Sequence, residues 1–87
     1  MPDGYSVELA RSAKGEIEAL RDPILGRVLA TLRALSANPR PRGCRKLSGH
    51  ESKFRVRAGD YRVIYEINDT ERLVRVYRIR HRGKAYG

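Results

Sequence analysis

The chain has 87 residues, enough for one domain (1–87) with one core and too few for a second. It is 40% hydrophobic and 33% charged, which is neither a membrane nor a disordered composition, and no stretch reaches the roughly 20 apolar residues that span a bilayer. A formal net charge of +9 directs attention to polyanionic partners, because a basic surface concentrates them and speeds their encounter.

The N-terminal run MPDGYSVELARSAKG has no basic stretch followed by an apolar one, so no signal peptide is expected. Tyr5, Val7 and Leu9 alternate with Ser6 and Glu8, which predicts a short half-buried strand over 5–9. Ser12 can cap a helix that begins after it, and Ala13, Ile17 and Leu20 fall at helical spacing, giving a first helix over about 13–21. Asp22-Pro23 reads as a restart, an N-cap acceptor followed by proline at the first helical position. Leu25, Val28, Leu29, Leu32 and Leu35 form one apolar stripe, and Asn38-Pro39 ends the second helix near Ala37 because the residue before proline avoids the α region.

Residues 38–53 read as a connector rich in proline, glycine and basic residues, with Leu47 expected to pin it to the core. Three strands come after it. Phe54, Val56 and Ala58 alternate with Arg55 and Arg57, and Gly59-Asp60 turns the chain. Tyr61, Val63, Tyr65 and Ile67 alternate with Arg62, Ile64 and Glu66, and Asn68-Asp69 turns it again. Leu73 to Ile79 has apolar residues on both parities, which predicts a central strand. The short turns make these three strands an antiparallel meander. The expected fold is α+β in the order β-α-α-β-β-β, a two-helix hairpin packed on a small antiparallel sheet. Phe54, Val56, Val63 and Tyr65 then face the core, and Arg55, Arg57 and Arg62 the opposite side.

The charge is unevenly placed. Residues 1–43 hold seven basic and five acidic side chains, and residues 44–87 hold twelve and five. Arginine dominates the second half, and its planar fork pairs with phosphate in a bidentate way that lysine cannot match. Same-face side chains on neighbouring antiparallel strands lie about 5 Å apart, so Arg55, Arg57 and Arg62 form a cationic cluster. Such a cluster is a poor choice for stability alone and a good one for holding phosphate.

The tail adds His81, Arg82, Lys84 and Tyr86. Histidine can move a proton near neutral pH, and tyrosine offers a ring on which an unpaired base can stack. His50 and His81, with few grouped carboxylates, do not make a ligand set, so neither a metal nor another cofactor is expected. The lone Cys44 cannot form an internal disulfide, which fits a reducing compartment, and reads as an idle or buried thiol. Cutting RNA without metal needs a base for the 2′ proton, stabilisation of charge on phosphorus, and an acid for the leaving 5′ oxygen. Arginines serve the second role and not the first or third, which leaves His81, Tyr86 or the substrate's host particle. The residues alone lead to a small α+β domain that grips nucleic-acid phosphate, and leave binding and catalysis both open.

Asn38-Pro39-Arg40-Pro41, Arg45-Lys46-Leu47-Ser48-Gly49, Phe54-Arg55-Val56-Arg57, the run Gly59 to Ile67 (GDYRVIYEI), His81-Arg82 and Tyr86 stand in an order and spacing that resembles the RelE/ParE toxin superfamily. The resemblance covers residues 5–86 and is most specific around GDYRVIYEI. It implies a microbial-ribonuclease-like (RelE-like) fold in a prokaryotic, cytoplasmic toxin of a type II toxin–antitoxin system. RelE-like members cleave mRNA in the ribosomal A site, whereas ParE-like members poison DNA gyrase and lack the catalytic set. The resemblance implies a metal-independent endoribonuclease in which Arg62 and Arg82 stabilise the transition state, His81 handles a proton and Tyr86 stacks on the base. Arg55, Arg57, Lys46 and Lys84 would bind substrate. The implied partners are the ribosome with its mRNA, an acidic or amphipathic RelB-like antitoxin, and operator DNA through the antitoxin complex. Relatives often carry lysine where Arg55 and Arg57 stand, and arginine practically cannot act as a base, so His81 becomes the first candidate for that role. The rival functions are gyrase inhibition and a non-catalytic nucleic-acid-binding module.

Overall fold

The computed structural model describes residues 4–49 and 52–81. Its elements are β1 (Ser6–Leu9), α1 (Arg11–Glu18), α2 (Ile24–Ala37), β2 (Arg45–Lys46), β3 (Lys53–Ala58), β4 (Tyr61–Asn68) and β5 (Leu73–His81). The strands form one sheet in the order β1-β5-β4-β3-β2. The meander β3-β4-β5 is antiparallel as its short turns require, and β2 adds to it antiparallel. β1 instead lies parallel to β5, so the sheet is mixed, and the two helices pack on it. A parallel neighbour needs a crossover connection, and the two helices are part of the long one supplied here. No described helix is long and apolar enough to cross a membrane.

The helix stripe and the sheet's alternation meet in one core. Ala13, Val28, Leu32 and Leu35 from the helices bury against Phe54, Val56, Ala58, Val63, Tyr65, Ile67, Val74, Val76 and Ile79. Each fully buried Val or Leu contributes about 1.5–3 kcal/mol. The expected core-facing set Phe54, Val56, Val63 and Tyr65 is all buried.

Local details depart from the sequence reading where a tertiary partner competes. Ser12 does not cap α1, whose N-cap is Ala10; the Ser12 hydroxyl instead donates to the Tyr77 carbonyl at 2.6 Å. The N-cap of α2 is Pro23, one residue later than the expected Asp22, which instead accepts the Gly26 N–H from just before the cap at 3.1 Å. The connector is not wholly irregular, since β2 forms within it. Its firm attachments are the buried Pro39, whose carbonyl accepts the Tyr65 hydroxyl at 2.8 Å, and Cys44, which packs against the core. Leu47, the expected pin, is only half-buried, and its N–H donates to the Lys53 carbonyl.

β5 explains its own mixed parity. It is an interior strand, and its buried apolar residues Val74, Val76 and Ile79 all point one way. The register slips at Ile64/Tyr65, where Ile64 faces Arg78 and Tyr65 faces Val76, leaving Tyr77 as the extra residue of a bulge. Val74 and Val76 on one side of the bulge and Ile79 on the other therefore all reach the core.

β1 covers only the first half of the β5 edge. Beyond it α1 takes over. Ser12 binds the Tyr77 carbonyl, and the Glu16 carboxylate accepts the Ile79 N–H at 2.7 Å. Edge groups that would template another strand are thus satisfied by helix side chains.

Candidate nucleic-acid interface

The face of the sheet turned away from the helices carries the site. The β3–β4 turn, where Gly59 has φ +64°, brings the two strands into a register that sets Arg57 directly opposite Arg62. On the other side of β4, Arg62 faces Arg80. One step along the sheet, Arg55 faces Arg45 on β2 and Ile64 on β4. Directly opposed side chains have Cβ atoms about 4.5–5.5 Å apart. Two adjoining cross-strand rows of guanidinium groups therefore cover one end of this face.

Gly43, Arg45, Arg55, Val56, Arg57 and Arg62 line an open pocket. Gly43 takes φ +91° where the connector forms the pocket wall, a conformation that a side chain would strain. Arg55 and Arg62 are half-buried, and the Nε of Arg62 is shielded from solvent, while Arg57 and Arg45 are exposed. Arg45 and Arg57 make no ion pair with any described residue. Forks from three strands thus converge on a space open to solvent, a geometry suited to a tetrahedral oxyanion.

The structure sorts the residues expected from the sequence. It brings Arg55, Arg57 and Arg62 together. Lys46 does not join them, because it pairs with Phe54 and so lies on the helix-facing side, whereas its neighbour Arg45 lies on the arginine face. Sequence reasoning missed Arg45. The motif Arg45-Lys46 names both residues, and only the register of β2 says which of them points to the pocket.

His81 also leaves the cluster. β5 runs on through residue 81, and His81 pairs with Tyr61, which shares its face with Val63. The two rings meet edge to face with centroids 5.4 Å apart. Alternation therefore puts His81 on the side opposite Arg62. Arg82, Lys84 and Tyr86 lie outside the described residues, as does His50. Among the described residues, no three His, Cys, Asp or Glu side chains gather as metal ligands.

The far end of the same face is arranged differently. Glu8 pairs with Arg75 at 2.9 Å, Arg75 lies opposite Glu66, and Glu66 lies opposite Lys53. Glu66 also accepts the Tyr77 hydroxyl at 3.0 Å and the Ser52 hydroxyl at 3.1 Å. The bond to Glu66 raises the Tyr77 phenol, and Glu8 holds Arg75 more firmly protonated. Nearby, Asp69 accepts two guanidinium bonds from Arg40, at 2.9 and 3.2 Å, and the Tyr5 hydroxyl at 2.6 Å. Arg40 and then Tyr5 pull the Asp69 carboxyl down to about 2.

Comparison with known proteins identifies the class. A model of the ParE toxins of type II toxin–antitoxin systems matches residues 7–86. The chain belongs to this family of toxins, within the RelE/ParE superfamily. Among solved structures, RelE in the archaeal RelE–RelB complex of Pyrococcus horikoshii is similar at 29% identity and TM-score 0.80, covering 93% of this chain and 98% of that one. The toxin–antitoxin complex RelBE2 of Mycobacterium tuberculosis contains a chain 30% identical, with TM-score 0.79, covering 92% of this chain and all of that one. The isolated RelE toxin of E. coli, at 20% identity and TM-score 0.78, shares the fold over 88% of this chain and 83% of its own. Curated protein sequences gave no significant match.

Proposed function

We propose that this toxin is a RelE-like endoribonuclease that cleaves mRNA in the ribosomal A site and so stops translation. The observation that carries the reading is the pocket in which Arg45, Arg55, Arg57 and Arg62 converge. A toxin that acts by binding gyrase has no need of a phosphate-sized pocket walled by arginines. In the proposed reaction the 2′ oxygen attacks the adjacent phosphorus, the 5′ oxygen leaves, and a 2′,3′-cyclic phosphate remains. Negative charge builds on the phosphoryl oxygens, and fixed cations aimed there lower the barrier. Arg62, with Arg82 from the segment after β5, stabilises that charge, while Arg55 and Arg57 hold the substrate.

The proton steps fall outside the described pocket, whose titratable lining is arginine. They are assigned to the segment carrying Tyr86, with His81 at its root, or to groups of the ribosome. An incomplete proton-transfer set accounts for dependence on the ribosome. By the same reading the toxin is cytoplasmic and is neutralised by an acidic or amphipathic RelB-like antitoxin, as in the complexes of the two more similar RelE proteins. That pair would bind operator DNA through the antitoxin.

The second reading, inhibition of DNA gyrase, is favoured by the ParE name of the matching family model. The deciding experiment adds the purified protein, and Arg62→Ala beside it, to a reconstituted translation reaction and maps mRNA ends by primer extension. Cuts within A-site codons, lost in Arg62→Ala and absent on naked RNA, are expected. Growth arrest without cuts would sink the ribonuclease reading and call for a supercoiling assay.

A further inference from the structure

Where β1 ends, α1 grips the edge of β5, and one of its side chains uses both oxygens of a carboxylate to do so. β1 stops pairing at Leu9, opposite Val76. Ser12 and Glu16 stand four residues apart and so share a face of α1. Ser12 donates to the Tyr77 carbonyl at 2.6 Å, and one Glu16 oxygen accepts the Ile79 N–H at 2.7 Å. The second Glu16 oxygen lies 3.6 Å from the Arg78 Nη1 and 3.7 Å from the Arg80 Nε. The Glu16 side chain is 24% exposed and that of Arg80 33%, so this contact is partly shielded from water. The bond to the Ile79 N–H needs an acceptor and no charge. The charge acts on the two arginines.

Arg80 is the cross-strand neighbour of Arg62, which in turn faces Arg57. Arg62 and Arg57 line the pocket, and Arg80 does not. Three guanidinium groups in one row repel, since opposed side chains start from Cβ atoms about 4.5–5.5 Å apart. Glu16 meets this row at its outer end. The Ile79 N–H that it accepts belongs to the edge of β5 that no strand covers, on the side away from β4. Its second oxygen therefore draws Arg80 outward, away from Arg62, and offsets part of the charge there. The space beside Arg62 is left to the pocket.

We infer that Glu16 is a positioning residue for the arginine pocket: acting through Arg80, it keeps the Arg62 fork directed into the pocket without itself touching a ligand. The inference rests on that pocket being the catalytic site, and it adds a residue of α1 to a site otherwise built from the connector and the sheet. With the carboxylate neutral, Arg80 swings back toward Arg62 and two cations crowd the space of one. A misdirected Arg62 fails where charge builds up during the reaction, so the maximal rate falls while binding is kept.

The test compares the full-length wild type with Glu16→Gln, Arg80→Ala and the double variant. Glutamine keeps an oxygen for the Ile79 N–H and loses the charge. Hydrogen exchange at the Ile79 amide should therefore stay within about twofold of wild type in Glu16→Gln. The guanidinium Nε–H resonances of Arg80 and Arg62 should nonetheless both move. In ribosome-dependent cutting the maximal rate is expected to fall roughly three- to tenfold, with the ribosome concentration that gives half of it unchanged. In the Arg80→Ala background the same substitution should change the rate by less than about twofold, because the side chain it acts through is gone. A Glu16→Gln protein that cuts at the wild-type rate, or loses as much without Arg80 as with it, overturns the inference. A rate that falls only together with the Ile79 protection assigns Glu16 a merely structural role and overturns it as well. The resonances need no RNA, and this separates the failures. If the wild type makes no cuts, the ribonuclease reading falls, and an Arg62 resonance that moves or stays still decides whether Glu16 orients Arg62.

Discussion

The open face of the sheet has two ends built from the same strands and opposite in design. At one end Glu8, Arg75, Glu66 and Lys53 alternate in sign across β1, β5, β4 and β3. Tyr77 and Ser52 complete the hydrogen bonds of Glu66. At the other end Arg57, Arg62 and Arg80 stand side by side, with Arg45 and Arg55 in the next row. Opposite charges across strands contribute roughly 0.2–1 kcal/mol and like charges cost similar amounts. The first end follows the rule for a stable sheet, and the second breaks it three times over. Since β3, β4 and β5 run through both ends, propensity and packing cannot account for the difference. The surplus of cations at the second end instead suits an anionic ligand, as the proposed function requires.

The sharpest way to break this contrast is to make the arginine end imitate the paired one. Arg57→Glu puts a carboxylate directly across from Arg62. A-site cutting should fall by roughly a hundredfold or more, as it does when an oxyanion-stabilising group is removed. Stability to urea should instead rise by about 0.2–1 kcal/mol. A variant that loses activity and stability together would show that the arginines were not in mutual conflict.

Tyr65→Phe tests whether folding depends on the core beneath the face. Removing the hydroxyl strands the Pro39 carbonyl and should cost about 1–3 kcal/mol, with cutting per folded molecule unchanged. Burial, with Cys44 nearby, raises the Tyr65 phenol above its ordinary value of 10.0. A raised folded value means this contribution is full below pH 10 and fades as pH climbs toward the folded value. Denaturant midpoints against pH should therefore fall off above about 10 in wild type and less so in Tyr65→Phe.

Glu66→Gln weakens the paired end alone. It should lower stability by about 0.5–1.5 kcal/mol and leave ribosome-dependent cutting as it was. A loss of cutting without loss of stability would mean that the two ends are not separable. The smallest effect concerns acid. Asp69 has a folded value near 2 against an ordinary 3.8, so its contribution is present above about 4 and is lost as pH falls toward 2. Asp69→Asn should flatten that part of the acid unfolding curve and leave the midpoint's other pH dependence intact.

Much of this molecule was legible from spacing. The two helices, the meander, the inward set around Tyr65 and the outward turn of Arg55, Arg57 and Arg62 all stem from local periodicity and turn residues. What escaped was decided between residues far apart in the chain. Ser12 had the chemistry of a cap and found a better acceptor 65 positions away. Lys46 and Arg45 exchanged roles because a two-residue strand has too little pattern to fix its own register. His81 was expected beside Arg62 and lies on the other face because β5 continues through it. Glu16 carries no sequence signal of its own, and only the fold brings the uncovered edge of β5 against it.

The sequence by itself determined the elements, the core-facing alternation and the surplus of arginine in the second half, because each depends on residues within a few positions of one another. Tertiary structure alone decided which cations share a pocket, where β1 joins the sheet, and that a bulge at Tyr77 lets Val74, Val76 and Ile79 point the same way. The reason is that side-chain direction in a sheet has a period of two. A slip of one residue reverses it, and that slip is set by contacts across the fold.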